Sequence, residues 1–297
     1  MRRFRGCGTA LVTPFTRSGT VDTAALAELV RWQIAEGIDF LVPCGSTGEA
    51  QTLDEDERTR VVETVVQTAA GRVPVMAGAT HNDTRKAVTE ARRMCSAGVD
   101  YILSATPYYN KPTQEGLYRH FSAVLDASTR PVCLYNVPGR TAVNLLPETV
   151  LRLAEHPNAI GIKEASGDLT QAMDIIAGRP DRFAVLSGED WLTVAMIAVG
   201  GDGLISVVAN EVPAATTSMV RHALGAELDE ARDLLYRMLP LIEANFLETN
   251  PAPAKAALHA MGRIENVLRL PLVPVSDPTV KTLLAALRAA GVERAHV

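Results

Sequence analysis

Lys163 lies in the run Ala159-Ile-Gly-Ile-Lys-Glu-Ala165, whose apolar character, length and glycine are those of a buried parallel strand. An ammonium inside such a strand is costly unless it is paired or gives up its proton. A desolvated lysine has a chemical use: as the neutral amine it attacks a carbonyl carbon and forms a Schiff base. The plainer alternative is an ion pair with Glu164 at the strand end. Gly45-Ser-Thr-Gly-Glu49 is a turn of small hydroxyl residues between glycines, either a tight loop or one whose N–H groups bind a carboxylate. Thr106-Pro-Tyr-Tyr-Asn110 and Tyr135-Asn-Val-Pro-Gly-Arg-Thr141 supply phenols and hydroxyls. Such groups can carry the protons that carbinolamine formation and breakdown require, without burying another charge. Arg140 can clamp a carboxylate bidentately or form a surface salt bridge. Ser187-Gly-Glu-Asp190 and Ile205-Ser206 complete the set. The histidines, at 81, 120, 156, 222, 259 and 296, share no helical spacing and no HxH pair, so no metal is expected.

What brings these residues together must be the elements that carry them. Strands are expected at 8–14, 40–44, 73–77, 101–104, 131–137, 159–164, 183–187 and 203–208, each followed by a helical stretch. Asp22 caps the first helix, whose Leu26, Leu29, Val30, Gln33 and Ile34 share a mostly apolar face. Asp54-Glu55-Asp56-Glu57 gives the second an acidic start, and Pro147 opens a later one. The others are expected near 83–97, 114–127, 168–178, 190–199 and 213–223. Alternating short strands and helices make a parallel sheet, and this many even units fit a (β/α)8 TIM barrel better than a doubly wound sheet. No GxGxxG follows the first strand. Barrel chemistry gathers at the carboxyl ends of the strands, where all the residues above fall. Residues 1–224 are thus expected to form the catalytic barrel and 225–297 a C-terminal helical domain. Its three helices are expected near 227–248, 253–262 and 277–290, broken by Asn250-Pro-Ala-Pro253 and Leu270-Pro-Leu-Val-Pro274, and it is assigned no chemistry.

The 297 residues are 47% hydrophobic with a net charge of −5, which offers no basic face for nucleic acid. The four cysteines, Cys7, Cys44, Cys95 and Cys133, lack metal spacing and read as small hydrophobes of a reducing compartment. Met-Arg-Arg-Phe-Arg resembles the start of an export signal, but Pro14 and Thr16 cut the apolar stretch behind it. With no apolar run of membrane length, the expectation is a cytoplasmic protein.

In order and spacing, Gly45-Ser-Thr-Gly-Glu49, Thr106-Pro-Tyr-Tyr-Asn110, Tyr135-Asn-Val-Pro-Gly-Arg140, Gly161-Ile-Lys-Glu164 and Gly203-Leu-Ile-Ser206 span most of the barrel. With them the whole chain resembles the dihydrodipicolinate synthase / N-acetylneuraminate lyase superfamily, and within it the dihydrodipicolinate synthase (4-hydroxy-tetrahydrodipicolinate synthase) family. The resemblance implies a class I, Schiff-base lyase without a cofactor. Lys163 would form the imine with pyruvate, and Tyr135, Thr47 and Tyr109 would relay protons, Tyr109 reaching in from a neighbouring subunit. The N–H groups of Ser46 and Thr47 would hold the pyruvate carboxylate, with Gly188 and Ile205 also against the substrate. Arg140 would hold the carboxylate of L-aspartate-4-semialdehyde. The enamine attacks that aldehyde, and the substrate amine then displaces Lys163 as the ring closes, committing carbon to diaminopimelate and lysine. Members are commonly homotetramers built as dimers of dimers.

The alternatives are an aldolase or lyase of the same superfamily acting on a keto-deoxy sugar acid or N-acetylneuraminate, and a non-catalytic sugar-acid sensor. Arg140 favours the synthase, because neuraminate lyases generally lack it, and a sensor is expected to have lost Lys163, Tyr135 or Thr47. Lysine-inhibited members bind the effector at positions that match Ala50, Gln51, Glu55, Arg58, Asn82, Lys86 and Tyr108. Lys86 stands where those members have a carboxylate for the effector's ammonium, and a like charge opposes binding. Steady-state inhibition by L-lysine should therefore be weak or absent, and an inhibition constant below ~1 mM would contradict this.

Overall fold

In a computed structural model the described residues are 3–292; Met1 and Arg2 of the basic start, and His296, lie outside them. Eight strands form one sheet: β1 Gly6–Ala10, β2 Phe40–Val42, β3 Met76–Gly78, β4 Tyr101–Ala105, β5 Val132–Asn136, β6 Ala159–Glu164, β7 Ala184–Ser187 and β8 Gly203–Ser206. Their order is β2-β1-β8-β7-β6-β5-β4-β3 and the paired neighbours are parallel. The ring closes between β2 and β3 through a parallel bridge, Leu41 to Val75, and the Gly78 N–H donates to the Pro43 carbonyl at 2.9 Å. With helices between the strands this is the expected TIM barrel. Ala10, Phe40, Val42, Met76, Leu103, Cys133, Tyr135, Leu186 and Ile205 fill the interior as one buried cluster. A larger cluster lies between strands and helices.

Several strands are shorter or displaced against expectation, for reasons of hydrogen bonding. The first was expected at 8–14 but runs Gly6–Ala10. Beyond it the Val12 N–H turns to the Asn210 side chain at 3.1 Å and the Thr13 hydroxyl to the Gly48 carbonyl at 2.7 Å. The eighth was expected to reach 208 but ends at Ser206, because the Val207 and Val208 N–H groups donate to the Asp190 carboxylate at 3.1 and 3.2 Å. The third is Met76–Gly78 rather than 73–77. Helix starts follow the capping signals: Asp22 accepts from the Ala25 N–H, and Asp54 and Glu57 form a reciprocal capping box. The expected helix at 190–199 divides into a 3₁₀ turn, Asp190–Leu192, and a helix, Thr193–Ala198.

Three helices follow the barrel: Leu228–Ala244, Ala252–Ala260 and Asp277–Ala289. The middle one is buried at every position but His259. Its Lys255, fully enclosed, donates to Glu49 Oε1 at 2.5 Å and to the Val267 carbonyl at 2.7 Å. Glu49 Oε2 accepts the Arg269 N–H at 3.2 Å, and the Arg269 guanidinium is bidentate on Glu57. Burial draws the Lys255 pKa down to about 8 in spite of Glu49, which still leaves an ammonium at neutral pH. The extension is thus fastened to the turn after β2 by an enclosed ion pair.

Removing one partner of such a pair strands the other charge, so Lys255→Met should cost about 3–5 kcal/mol of unfolding free energy. Replacing both, Lys255→Met with Glu49→Gln, should recover part of that loss. Denaturant titration measures it; a loss no larger than the ~1 kcal/mol of a surface pair would contradict the anchoring role.

Candidate active site

Lys163 is the last residue but one of β6, 5% exposed, with Tyr135 of β5 and Leu186 of β7 as its partners across the ladder. Strand alternation decides between its two possible fates. Lys163 faces the barrel interior, where its Nζ lies 4.5 Å from the centroid of the Tyr135 ring. Glu164 faces the helices and is occupied there: it accepts from the Ser166 N–H at 2.7 Å, Asn136 Nδ2 at 3.2 Å and Gln171 Nε2 at 3.3 Å. The ion pair between Lys163 and Glu164 does not form. Among the described residues no carboxylate stands within salt-bridge distance of Lys163, and the enclosed lysine meets an aromatic face instead.

The loop after β7 approaches this lysine closely. A Cβ on Gly188 would fall 2.9 Å from Lys163 Cε and 2.6 Å from the Ala165 Cβ, so only glycine fits without moving the lysine stem. Lys163 and Gly188 line one cavity with Ser46, Thr47, Tyr135, Arg140, Glu189 and Asn250. That cavity, about 60 Å³, is several times what one water needs. It shares Gly45, Ser46, Tyr135, Arg140 and Asn250 with a wider one of about 340 Å³.

The turn after β2 is held in an uncommon shape, with Cys44 at φ 56° and Glu49 at φ 51°. The Gly48 and Glu49 N–H groups donate back to Gly45 and Ser46, whereas those of Ser46 and Thr47 have no acceptor among the described residues. Unpaired N–H groups of this kind are able to receive a carboxylate. Thr47 is buried and its hydroxyl oxygen accepts from Asn250 Nδ2 at 3.0 Å. Arg140 follows β5 in the short helix Pro138–Thr141; it is exposed, lines both cavities and has no carboxylate partner among the described residues. The surface salt bridge considered for it is absent there.

Not every expected residue converges. Ile205 is fully buried in the barrel interior, outside the residues that line either cavity. Tyr109 is 86% exposed at φ 76° and lines neither cavity of its own chain. Of the effector positions, Ala50, Gln51, Arg58 and Tyr108 line the wider cavity. Arg58 is engaged by Glu90 at 3.5 Å and Glu55 by Arg93 at 2.9 Å. The Asn82 carbonyl accepts from Asn110, and Lys86 is exposed. Burial, then the Lys86 charge, hold His81 below its ordinary value.

Withholding chemistry from the C-terminal helices needs correction: Asn250 enters the cavity and bonds Thr47, and Lys255 grips Glu49. The only signals in the sequence were an Asn before proline and a lysine inside an alanine-rich helix, neither of which names a partner two hundred residues away. Glu189 gained no separate role from the sequence either, yet burial, reinforced by Asp190, pushes it up to about 7. Cys7, Cys44 and Cys133 are buried, with burial holding the Cys44 and Cys133 thiols at about 12, so they are inert hydrophobes. Among the described residues no group of His, Cys, Asp or Glu is arranged to hold a metal ion, and no helix is long and apolar enough to cross a membrane.

The model of the dihydrodipicolinate synthetase family matches residues 3–290. A 4-hydroxy-tetrahydrodipicolinate synthase of Koribacter versatilis is 56% identical over 92% of this chain and 91% of its own. One from Geotalea daltonii is 49% identical over 96% and 98%. Among solved structures, dihydrodipicolinate synthase from Thermotoga maritima superposes with a TM-score of 0.96 at 42% identity, covering 98% of this chain and 100% of that one. A chloride-inhibited dihydrodipicolinate synthase from Acinetobacter baumannii, complexed with pyruvate, gives 0.95 at 41% identity, covering 97% and 99%.

The Gly188 contact makes a direct prediction. Gly188→Ala displaces the lysine stem and should slow inactivation by pyruvate and borohydride about a hundredfold in a variant that still folds. Inactivation at the unaltered rate would show that the close approach is immaterial.

Proposed function

The chain belongs to the dihydrodipicolinate synthetase family, and from that premise we propose that it is a Schiff-base lyase that condenses pyruvate with L-aspartate-4-semialdehyde, the reaction of 4-hydroxy-tetrahydrodipicolinate synthases. The observation that carries this reading is the pairing, in one cavity, of an enclosed lysine without a carboxylate partner and an arginine without one. The lysine suits a keto acid, and the arginine suits a second substrate with its own carboxylate.

In the proposed sequence the pyruvate carboxylate rests on the Ser46 and Thr47 N–H groups while Lys163 Nζ attacks the ketone carbon. Loss of water gives the imine, and loss of a methyl proton gives the enamine. Tyr135, against Lys163, and Thr47 exchange these protons, with Asn250 fixing the Thr47 oxygen as acceptor so that its hydroxyl hydrogen points elsewhere. The enamine carbon then attacks the aldehyde of the second substrate, whose carboxylate Arg140 holds. Its amine closes on the imine carbon, and Lys163 leaves as the free amine. Tyr109 completes the relay from a second copy of the chain, as its exposure and its distance from its own cavity favour. That assembly, a dimer of dimers in the full reading, is part of the proposal.

Turnover of pyruvate and L-aspartate-4-semialdehyde, coupled to dihydrodipicolinate reductase and followed by nicotinamide oxidation, tests it. Lys163→Ala should abolish turnover, and Arg140→Ala should raise the KM for the semialdehyde by ~10–100-fold. Pyruvate release from a keto-deoxy sugar acid, with no turnover of the semialdehyde, would overturn the substrate assignment.

A further inference from the structure

One charged group in the cavity serves neither the imine nor the carboxylate clamp. Two carboxylates line the joined cavities, Glu49 and Glu189. Glu49 is committed to Lys255 and the Arg269 N–H. The Glu189 side chain, half-buried, has no hydrogen-bond or ion-pair partner among the described residues. Its backbone, in contrast, is fixed on both sides. The Glu189 carbonyl accepts from the Ser187 hydroxyl at 2.8 Å and the Thr193 hydroxyl at 2.9 Å, and its N–H donates to Ser187 Oγ at 3.1 Å. The preceding Gly188 is packed on the lysine stem, and the following Asp190 is turned into the fold, bound to Ser206 and the Val207 and Val208 N–H groups. A pinned segment therefore presents one unpaired carboxylate to the space beside Lys163 and Arg140.

The second substrate has three polar ends. Its aldehyde meets the enamine and its carboxylate meets Arg140, which leaves an α-ammonium in need of acceptors. We propose that Glu189 receives this α-ammonium and removes its proton before the ring closes, an assignment that rests on the reaction proposed above. The ammonium cannot attack the imine carbon while its lone pair holds a proton. Transfer of one proton to the Glu189 carboxylate frees the lone pair, and the new C–N bond forms to the imine carbon. The ring nitrogen returns its surplus proton to the relay, which protonates Lys163 Nζ; the bond from the carbon to Nζ then breaks as the ring nitrogen's lone pair forms the ring C=N bond, and the resulting iminium loses its last proton to solvent. No oxidant or further reactant is needed.

The charges facing Glu189 suit this task. Burial raises its pKa most, followed by the Asp190 charge; Lys163 and Arg140 pull it down, and Glu164 adds a small upward push. The balance is about 7, so the basic form grows in across neutral pH. A carboxyl held above its unfolded value binds its proton more tightly in the native state. Stability is then lost as pH rises from the ordinary carboxylate range through about 7. Glu189→Gln removes that loss, so the variant should be at least as stable as the parent at pH 8.

Glu189→Gln should raise the KM for L-aspartate-4-semialdehyde about tenfold or more and leave the KM for pyruvate within about twofold. The acid limb of kcat/KM for the semialdehyde, near pH 7 in the parent, should disappear. Succinic semialdehyde, which has the aldehyde and carboxylate but no amine, should inhibit parent and variant equally. An unchanged semialdehyde KM with the acid limb intact would overturn the proposal while leaving the reaction standing. A parent that forms the pyruvate imine but does not turn over this aldehyde would overturn the reaction and the proposal together.

Discussion

The arrangement depends on one constraint, the opposite directions of two adjacent side chains on β6. Lys163 and Glu164 are neighbours in sequence and carry opposite charges. In a strand they point to opposite faces of the sheet. The lysine is delivered to the barrel interior with an aromatic ring beside it, and the glutamate to a set of amide and backbone donors behind it. An enclosed ammonium without a carboxylate is unfavourable to the fold. It persists because the surrounding barrel fixes it from three sides: Tyr135 on one strand, Leu186 on the other and Gly188 above. Among the described residues no carboxylate holds the lysine head there, so it is left facing the cavity, which is what the proposed attack on a carbonyl carbon draws on.

A second principle is that the binding turn is held by residues distant from it in sequence. The turn after β2 contains two non-glycine residues in the left-handed region and leaves two N–H groups open. Such a shape needs support from outside. The support comes from the C-terminal extension, through Lys255 on Glu49 and Asn250 on Thr47. The extension is therefore part of the site's framework. A device of the same kind operates after β7, where Ser187, Thr193 and Asp190 fix the backbone that carries Gly188 and Glu189 along the cavity.

Much of this was legible in the sequence because it is local. The strand around Lys163, the hydroxyl turn at 45–49, the alternation of strands and helices, the Asp22 cap and the acidic start at 54–57 each depend on residues within a few positions of one another. What escaped was long-range. The ends of β1 and β8 are set by the side chains of Asn210 and Asp190, which take over backbone N–H groups that would otherwise extend the sheet. Asn250 and Lys255 meet partners 203 and 206 positions away, and no periodicity encodes such a meeting. The free carboxylate of Glu189 emerged only by subtraction, once Glu49 and Asp190 were seen to be engaged. Tyr109 was singled out by motif, and within one chain it stands apart from Lys163.

The central claim is that the enclosed amine of Lys163 is the nucleophile for pyruvate. Its most direct test is to reduce the protein with borohydride in the presence of pyruvate, digest it and locate the added mass by peptide sequencing in the mass spectrometer. A single adduct on Lys163, absent when pyruvate is omitted, is the predicted result. An adduct on any other lysine, or none at all with the protein folded, would contradict the account.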